Sequence, residues 1–168
     1  MTIETLVRTT VETKTGTLQR RIVGEGVVPK VLVIDADSSL HIFYKTNLEK
    51  IVGRGNVTIV SNVSEAFRVL RLDFYSAYVV DPFIQGGGRN DWGFDLIEYI
   101  RRQEGNYDLV WVLSNDHFLL KESEGRGIRH AYTKREPELA DGYETKEQFI
   151  KDMEVELGRG DSTISDTH

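Results

Sequence analysis

The sequence predicts an α/β domain, a parallel sheet with helices on both faces, and two observations support this. Four short apolar runs are unbroken, as is typical of strands covered on both faces. Segments with helical spacing lie between them, and this alternation favours parallel strands. The runs are Val31–Ile34, Val57–Val60, Ala77–Val80 and 109–113.

The segments between and after these runs fill in the remaining elements. Ser38 and Ser64 are candidate N-caps for the first two helices, because Ser oxygens accept hydrogen bonds from free N–H groups. Arg101 and Arg102 are cations placed where a third helix would end. The remaining predicted elements are helices over 40–52, 66–70 and 94–102, a short helix at 118–120, a strand at His130–Thr133 and a helix over 149–157.

The predicted domain covers residues 29–157, with extensions at both ends. In residues 1–28, the segments 5–11 and 17–23 flank Lys14-Thr15-Gly16 and predict a β-hairpin. Residues 158–168 are polar, and we expect them to be disordered. This tail leaves no room for an output domain, so we expect a stand-alone domain that acts through protein–protein contact, with a homodimer through the hairpin as one arrangement.

Composition excludes several classes of function. The 168 residues carry a net charge of −6, which disfavours direct DNA binding. There are no cysteines, which excludes disulfides, thiolate metal sites and a Cys nucleophile. No apolar run approaches the ~20 residues that span a bilayer, and the first residues lack the apolar core of a signal peptide. We therefore expect a cytoplasmic protein without membrane contact.

Polar residues follow the predicted strands. Asp35 and Asp37 follow the first strand, Asp81 the third, Ser114 the fourth and Lys134 the fifth. Carboxyl ends of parallel strands lie side by side, so these groups should converge. One such Asp is explained by turn chemistry, but the ordered set is not. Clustered carboxylates suit Mg²⁺, and Asp81 could attack a phosphorus centre while Lys134 and Ser114 stabilise the phosphoryl oxygens.

Residues 31–157 resemble the receiver domain of bacterial response regulators. The matching pieces are VLVIDADSSL, AYVVDPF, LVWVLSND and GIRHAYTK. The resemblance implies a doubly wound, five-stranded parallel sheet flanked by five helices. It implies that Asp81 is the phosphoacceptor, that Lys134 pairs with the phosphoryl group and that Ser114 switches toward it. It also implies a Mg²⁺ ion held by Asp35, Asp81 and the carbonyl of Phe83.

The resemblance further implies partners: a sensor histidine kinase or a phosphotransfer protein as donor, and a downstream protein as target. One departure bears on the metal, because Ala36 stands where receivers have a second acid. Asp37 is the candidate replacement. Two hypotheses remain open, namely a two-component receiver that is phosphorylated on Asp81 and a pseudo-receiver that binds a partner without phosphorylation.

Three other departures concern the surroundings of the site. The loop after Asp81 is expanded over residues 84–92 and lacks the usual proline. Ala131 occupies the position of the switch aromatic, with Tyr132 displaced by one residue. Arg135 replaces the proline that follows the lysine, so we expect a trans peptide bond there, since a non-proline cis bond costs about 3 kcal/mol.

A rival hypothesis makes the protein an enzyme. Asp35-Ala36-Asp37 also matches the DxD pattern of haloacid-dehalogenase-like phosphatases, with Asp35 as nucleophile and Lys134 as that family's lysine. No apolar strand ending in paired acids follows Lys134, however, and this hypothesis gives Asp81 no role. The receiver resemblance is therefore preferred.

Overall fold

The structure is a computed structural model that describes residues 11–13, 16–18, 28–84 and 92–158. Its helices and strands are, in chain order, β1 (Val11–Thr13), β2 (Gly16–Leu18), β3 (Val31–Ile34), α1 (His41–Val52), β4 (Val57–Val60), α2 (Val63–Leu70), β5 (Ala77–Val80), α3 (Trp92–Glu104), β6 (Val110–Ser114), α4 (His117–Gly125), β7 (His130–Thr133), β8 (Glu144–Thr145) and α5 (Lys146–Gly158).

The central sheet is parallel, with strand order β4-β3-β5-β6-β7-β8. If the strands of this sheet are counted from β3 along the chain, the first five have the 2-1-3-4-5 order of a flavodoxin-like sheet. The predicted α/β class and the five flanking helices are confirmed. The predicted number of five strands is low by one, because β8 pairs two residues with Tyr132 and Thr133. Glu144 and Thr145 carry no apolar pattern, so only their main-chain pairing marks them as a strand.

The sheet separates two hydrophobic cores, because successive strand residues point to opposite faces. On one face, Leu32 and Ile34 pack with buried residues of α2, α3 and α4. On the other face, Val31 and Val33 pack with α1 and α5. Every residue of β3 is fully buried. This arrangement explains why its sequence is an unbroken apolar run.

The N-cap residues before α1 and α2 are not the serines that the sequence predicted. Asn62 caps α2 by accepting a hydrogen bond from the Glu65 N–H at 2.9 Å, and Ser64 lies inside the first turn. A short 3₁₀ turn over Ser38–Leu40 precedes α1, and its cap is Asp37. Both predicted serine caps are therefore wrong. In each case a carboxylate or amide oxygen one or two residues earlier bonds to the first free N–H groups.

In the N-terminal extension, β1 and β2 form an antiparallel pair in which Val11 lies opposite Leu18. The outer parts of the predicted hairpin, its connecting residues, the loop at 85–91 and the tail after Gly158 lie outside the described residues. The domain boundaries stay a prediction. In the described part of the chain, no helix is long and apolar enough to cross a membrane.

Candidate functional site

Three charged side chains meet at the carboxyl edge of the sheet. The Lys134 Nζ lies 2.7 Å from Asp35 Oδ2 and 2.5 Å from Asp81 Oδ2. All three residues are buried, with exposed fractions of 6% for Lys134, 2% for Asp35 and 9% for Asp81. One ammonium thus bridges two carboxylates that lie 46 positions apart in the sequence. We call Asp35, Asp81 and Lys134 the bridged pocket.

Main-chain pairing places these three residues side by side. The Asp35 N–H donates to the Val60 carbonyl at 3.0 Å, and the Asp81 N–H donates to the Ile34 carbonyl at 2.9 Å. On the other side, the Lys134 N–H donates to the carbonyl of Ser114 at 3.2 Å. Each residue therefore prolongs the hydrogen-bond ladder by one step beyond its strand, which fixes where its side chain begins.

Ser114 ends β6, between the strands that carry Asp81 and Lys134, and it is fully buried. Its hydroxyl oxygen accepts a hydrogen bond from the Asp116 N–H at 3.2 Å. The Phe83 N–H donates to Asp81 Oδ1 at 2.9 Å, which orients that carboxylate from the loop side. Ser114 and Phe83 therefore adjoin the bridged pocket, while the phosphoryl-binding role of Ser114 and the metal-binding role of the Phe83 carbonyl stay predictions.

Solved structures similar to this chain include a response regulator and receiver domains. The chemotaxis response regulator CheY4 of Vibrio cholerae matches with a TM-score of 0.55 and 16% identity, over 76% of this chain and 98% of that one. The receiver domain of NtrX from Brucella abortus matches with a TM-score of 0.58 and 18% identity, over 77% of this chain and 98% of that one. The beryllofluoride-activated NtrC4 receiver domain dimer has a TM-score of 0.58 and 18% identity, over 77% and 97%.

The chain has the receiver fold of response regulators. No protein-family model matches the sequence, and no curated protein matches it either. The likeness lies in the fold, while the chemistry of this chain depends on its own side chains.

Tyr44 is a pocket residue that sequence reasoning missed. Its side chain is fully buried, and its hydroxyl donates to Asp35 Oδ2 at 2.7 Å. The sequence showed Tyr44 only as part of the apolar stripe of the first helix. A signal was present, because a buried tyrosine hydroxyl usually needs a hydrogen-bond partner. His41, one turn earlier on α1, places its Nε2 2.8 Å from the main-chain oxygen of Asp35.

Asp37 has a structural role beside the bridged pocket. Its Oδ1 accepts hydrogen bonds from the N–H of Ser39 at 3.0 Å and from the Ser39 hydroxyl at 2.5 Å. Its own N–H donates to Asp35 Oδ1 at 2.8 Å. The hydrogen bond from the Ser39 side chain is the main reason that the pKa of Asp37 lies below its usual value. Asp37 thus orients Asp35 through its main chain and caps the turn before α1.

Burial and charge together set the ionisation of the bridged pocket. Burial raises the pKa of Asp81 and outweighs the opposing effect of Lys134. Burial lowers the pKa of Lys134, but the charges of Asp81 and Asp35 outweigh it, so the net shift is upward and the ammonium stays charged. Burial and the Asp35 charge raise the pKa of Tyr44 well above its usual value, so its hydroxyl stays a donor.

The carboxylate oxygens of the bridged pocket suit a hard cation only in part. Asp35 accepts two hydrogen bonds, from the Asp37 N–H and Tyr44, and forms an ion pair with Lys134, while Asp81 accepts two hydrogen bonds. A carboxylate has about four acceptor positions, so both groups keep some capacity for a metal. Among the described residues, however, no three His, Cys, Asp or Glu side chains are grouped as a metal site.

Two departures noted in the sequence have visible consequences. Ala131 faces the core on the α2–α4 side, whereas Tyr132 packs on the α1–α5 side against Trp111 and Phe149, with ring centroids 5.9 and 5.7 Å apart. The Tyr132 hydroxyl donates to Asp152 on α5 at 2.7 Å. The displaced aromatic is therefore fixed on the opposite face of the sheet from α4.

Arg135 connects two loops at the edge of the candidate site. Its Nε donates to the Asn115 carbonyl at 2.9 Å, and its Nη1 lies 3.2 Å from Asp141 Oδ2. The described residues contain no cis peptide bond, in line with the expectation for the bond before Arg135. The side chain that replaces the usual proline thus links the end of β6 to the segment before β8.

Proposed function

We propose that this receiver is a cytoplasmic two-component signalling domain in which Asp81 accepts a phosphoryl group from a sensor histidine kinase or a phosphotransfer protein. The proposal depends on one observation, the contact of the Lys134 ammonium with both Asp81 and Asp35 in a buried pocket. A buried ammonium beside a carboxylate nucleophile stabilises the charge that arrives with a phosphoryl group.

The chemistry is a transfer between two nucleophiles. An Asp81 oxygen forms a bond to phosphorus as the phosphorus–nitrogen bond of the donor histidine breaks, and the imidazole leaves with that electron pair. Lys134 then pairs with the acyl phosphate, and Ser114, at the neighbouring strand end, can donate a hydrogen bond to one of its oxygens. A Mg²⁺ ion held by Asp35, Asp81 and the Phe83 carbonyl would add positive charge beside the phosphoryl oxygens.

The test uses acetyl phosphate as a small phosphoryl donor, with Mg²⁺ in the buffer. We expect intact-protein mass spectrometry to show one added phosphoryl group in the wild type and none in Asp81→Asn. Asp73→Asn serves as the control, because Asp73 is an exposed aspartate paired with Lys30. An unlabelled wild type, or equal labelling of Asp81→Asn, would rule out Asp81 as the phosphoacceptor.

A pseudo-receiver is the second candidate, and one observation favours it. Asp35 already accepts a hydrogen bond from Tyr44 and pairs with Lys134, and Ala36 supplies no second carboxylate. Such a pocket is stable without a phosphoryl group. The labelling experiment separates the two candidates. The phosphatase hypothesis also requires a contact between Asp35 and Lys134, but it gives no role to Asp81, which lies at least as close to the same ammonium.

Signalling would proceed through protein contact, by the face that carries α4 and α5 or by the N-terminal hairpin. The NtrC4 receiver domain is a dimer, and we propose a homodimer for this chain as well. Light scattering across a concentration series tests this point, and a monomer at every concentration would refute it.

A further inference from the structure

We infer that the Tyr44 hydroxyl competes with divalent metal for Asp35, so that Tyr44 sets how weakly the bridged pocket holds a cation. Tyr44 is thus a positioning residue that acts through Asp35. The inference depends on the metal-binding part of the proposed function, but not on phosphorylation of Asp81.

The geometry makes the competition direct. Tyr44 and Lys134 approach the same oxygen of Asp35, at 2.7 Å in both cases. An oxygen of a carboxylate has two lone pairs, so the Tyr44 hydrogen bond and the Lys134 ion pair together occupy Oδ2. Oδ1 accepts from the Asp37 N–H and keeps one lone pair. A cation that binds Asp35 through Oδ2, or through both oxygens, must therefore displace Tyr44 or Lys134.

Tyr44 is the donor whose loss would matter most for the metal. Lys134 also pairs with Asp81, so it keeps a partner when it gives up Asp35. The hydroxyl of Tyr44 is fully buried, and Asp35 is its hydrogen-bond partner. Displacing it leaves a buried donor unpaired, which is unfavourable. The free energy of that bond is thus subtracted from the free energy of metal binding.

The experiment measures Mn²⁺ binding by the full chain, from the electron paramagnetic resonance signal of free Mn²⁺. Tyr44→Phe removes the hydroxyl and keeps the ring, and we expect its Mn²⁺ affinity to rise about tenfold, the effect of one hydrogen bond to a charged group. Tyr132→Phe is the matched control, because Tyr132 also donates to a carboxylate at 2.7 Å, on α5. Asp35→Asn should remove binding.

A second measurement distinguishes competition from a structural role. In metal-free buffer Tyr44→Phe should unfold at lower urea concentration than the wild type. Metal stabilises the native state more strongly in the variant that binds it more tightly. The difference in urea midpoint between Tyr44→Phe and the wild type should therefore narrow as Mn²⁺ is added. A tyrosine with a structural role alone would give the same gap at every Mn²⁺ concentration.

Each outcome decides the inference. An unchanged or weaker affinity in Tyr44→Phe, an equal gain in Tyr132→Phe, or no Mn²⁺ binding in any variant overturns it. If Tyr44→Phe does not fold, Tyr44→Met, which also lacks a donor, takes its place. Labelling of the same wild-type preparation by acetyl phosphate separates this result from the proposed function, because Mn²⁺ binding and phosphorylation of Asp81 are measured independently.

Discussion

Replacing Lys134 by Met provides the most direct test of the bridged pocket. The substitution keeps the length of the side chain and removes the ammonium, so Asp35 and Asp81 face each other in a buried site without a counter-charge. Removing one partner of a buried ion pair destabilises a protein by about 3–5 kcal/mol. We expect a loss in this range, measured as the free energy of unfolding from urea titrations.

The control is Lys30→Met. Lys30 pairs with Asp73 at 2.6 Å, close to the 2.5 Å between Lys134 and Asp81, but the side chains of the exposed pair are 45% and 43% accessible. Exposed pairs of this kind contribute about 0–1 kcal/mol. The two variants should therefore differ in lost free energy of unfolding because of the burial of the pair, since the distances between the charges are nearly equal.

The loss in Lys134→Met should depend on pH. Burial already raises the pKa of Asp81, and without the ammonium it rises further above the value of about 3.9 for an unfolded chain. The native state then binds more protons than the unfolded state at pH values between these two pKa values, so stability falls as pH rises through this window. The variant should therefore lose less stability at about pH 5 than at about pH 8.

Adding Asp81→Asn to Lys134→Met should recover part of the stability, because one of the two unpaired carboxylates is then removed. The reasoning is refuted if Lys134→Met loses no more than Lys30→Met. A loss that does not change with pH, or a double variant that is less stable than Lys134→Met, would also contradict it.

Three further predictions concern the framework around the site. Gly93→Ala should destabilise the protein by about 1–3 kcal/mol in urea titrations, because a Cβ at this position would collide with the Pro82 backbone. Gly125→Ala is the control, because a Cβ there lies near no other atom, and it should be neutral or stabilising. Asp116→Ala should lose about 1 kcal/mol in the same assay, because its Oδ1 caps the N-terminus of α4. Arg135→Met should speed amide hydrogen exchange in the loops that it links, and unchanged exchange would contradict that role.

Much of the fold could be predicted because its strands are covered on both faces. Buried strands leave unbroken apolar runs, and Val31–Ile34, Val57–Val60 and Ala77–Val80 have the predicted bounds. The run at 109–113 was one residue early, since Ser114 is a polar residue inside the strand. β8 could not be predicted, because a two-residue strand depends on main-chain pairing with its neighbour.

The residues of the site that follow strand ends could be predicted from the sequence. The residue that enters the site from a helix could not. Topology alone brings Asp35, Asp81 and Lys134 to one edge, and the structure places them in contact. Tyr44 enters from α1, and its contact depends on how that helix lies on the sheet. Asp37 was named as a candidate metal ligand, and that role stays a prediction. The structure shows it as the cap of the turn before α1, a use of a carboxylate that local sequence does not distinguish from metal binding.

The position of Tyr132 determines which helix is mechanically connected to the site. Its ring packs against Phe149 of α5, its hydroxyl donates to Asp152 of the same helix, and it lies on β7 two residues before Lys134, which follows that strand. Close-packed interiors transmit small displacements. A protein that binds the outer surface of α5 would therefore displace β7 and, with it, the Lys134 side chain that follows this strand. In this chain Tyr132 therefore connects the surface of α5 with the carboxyl edge of the sheet.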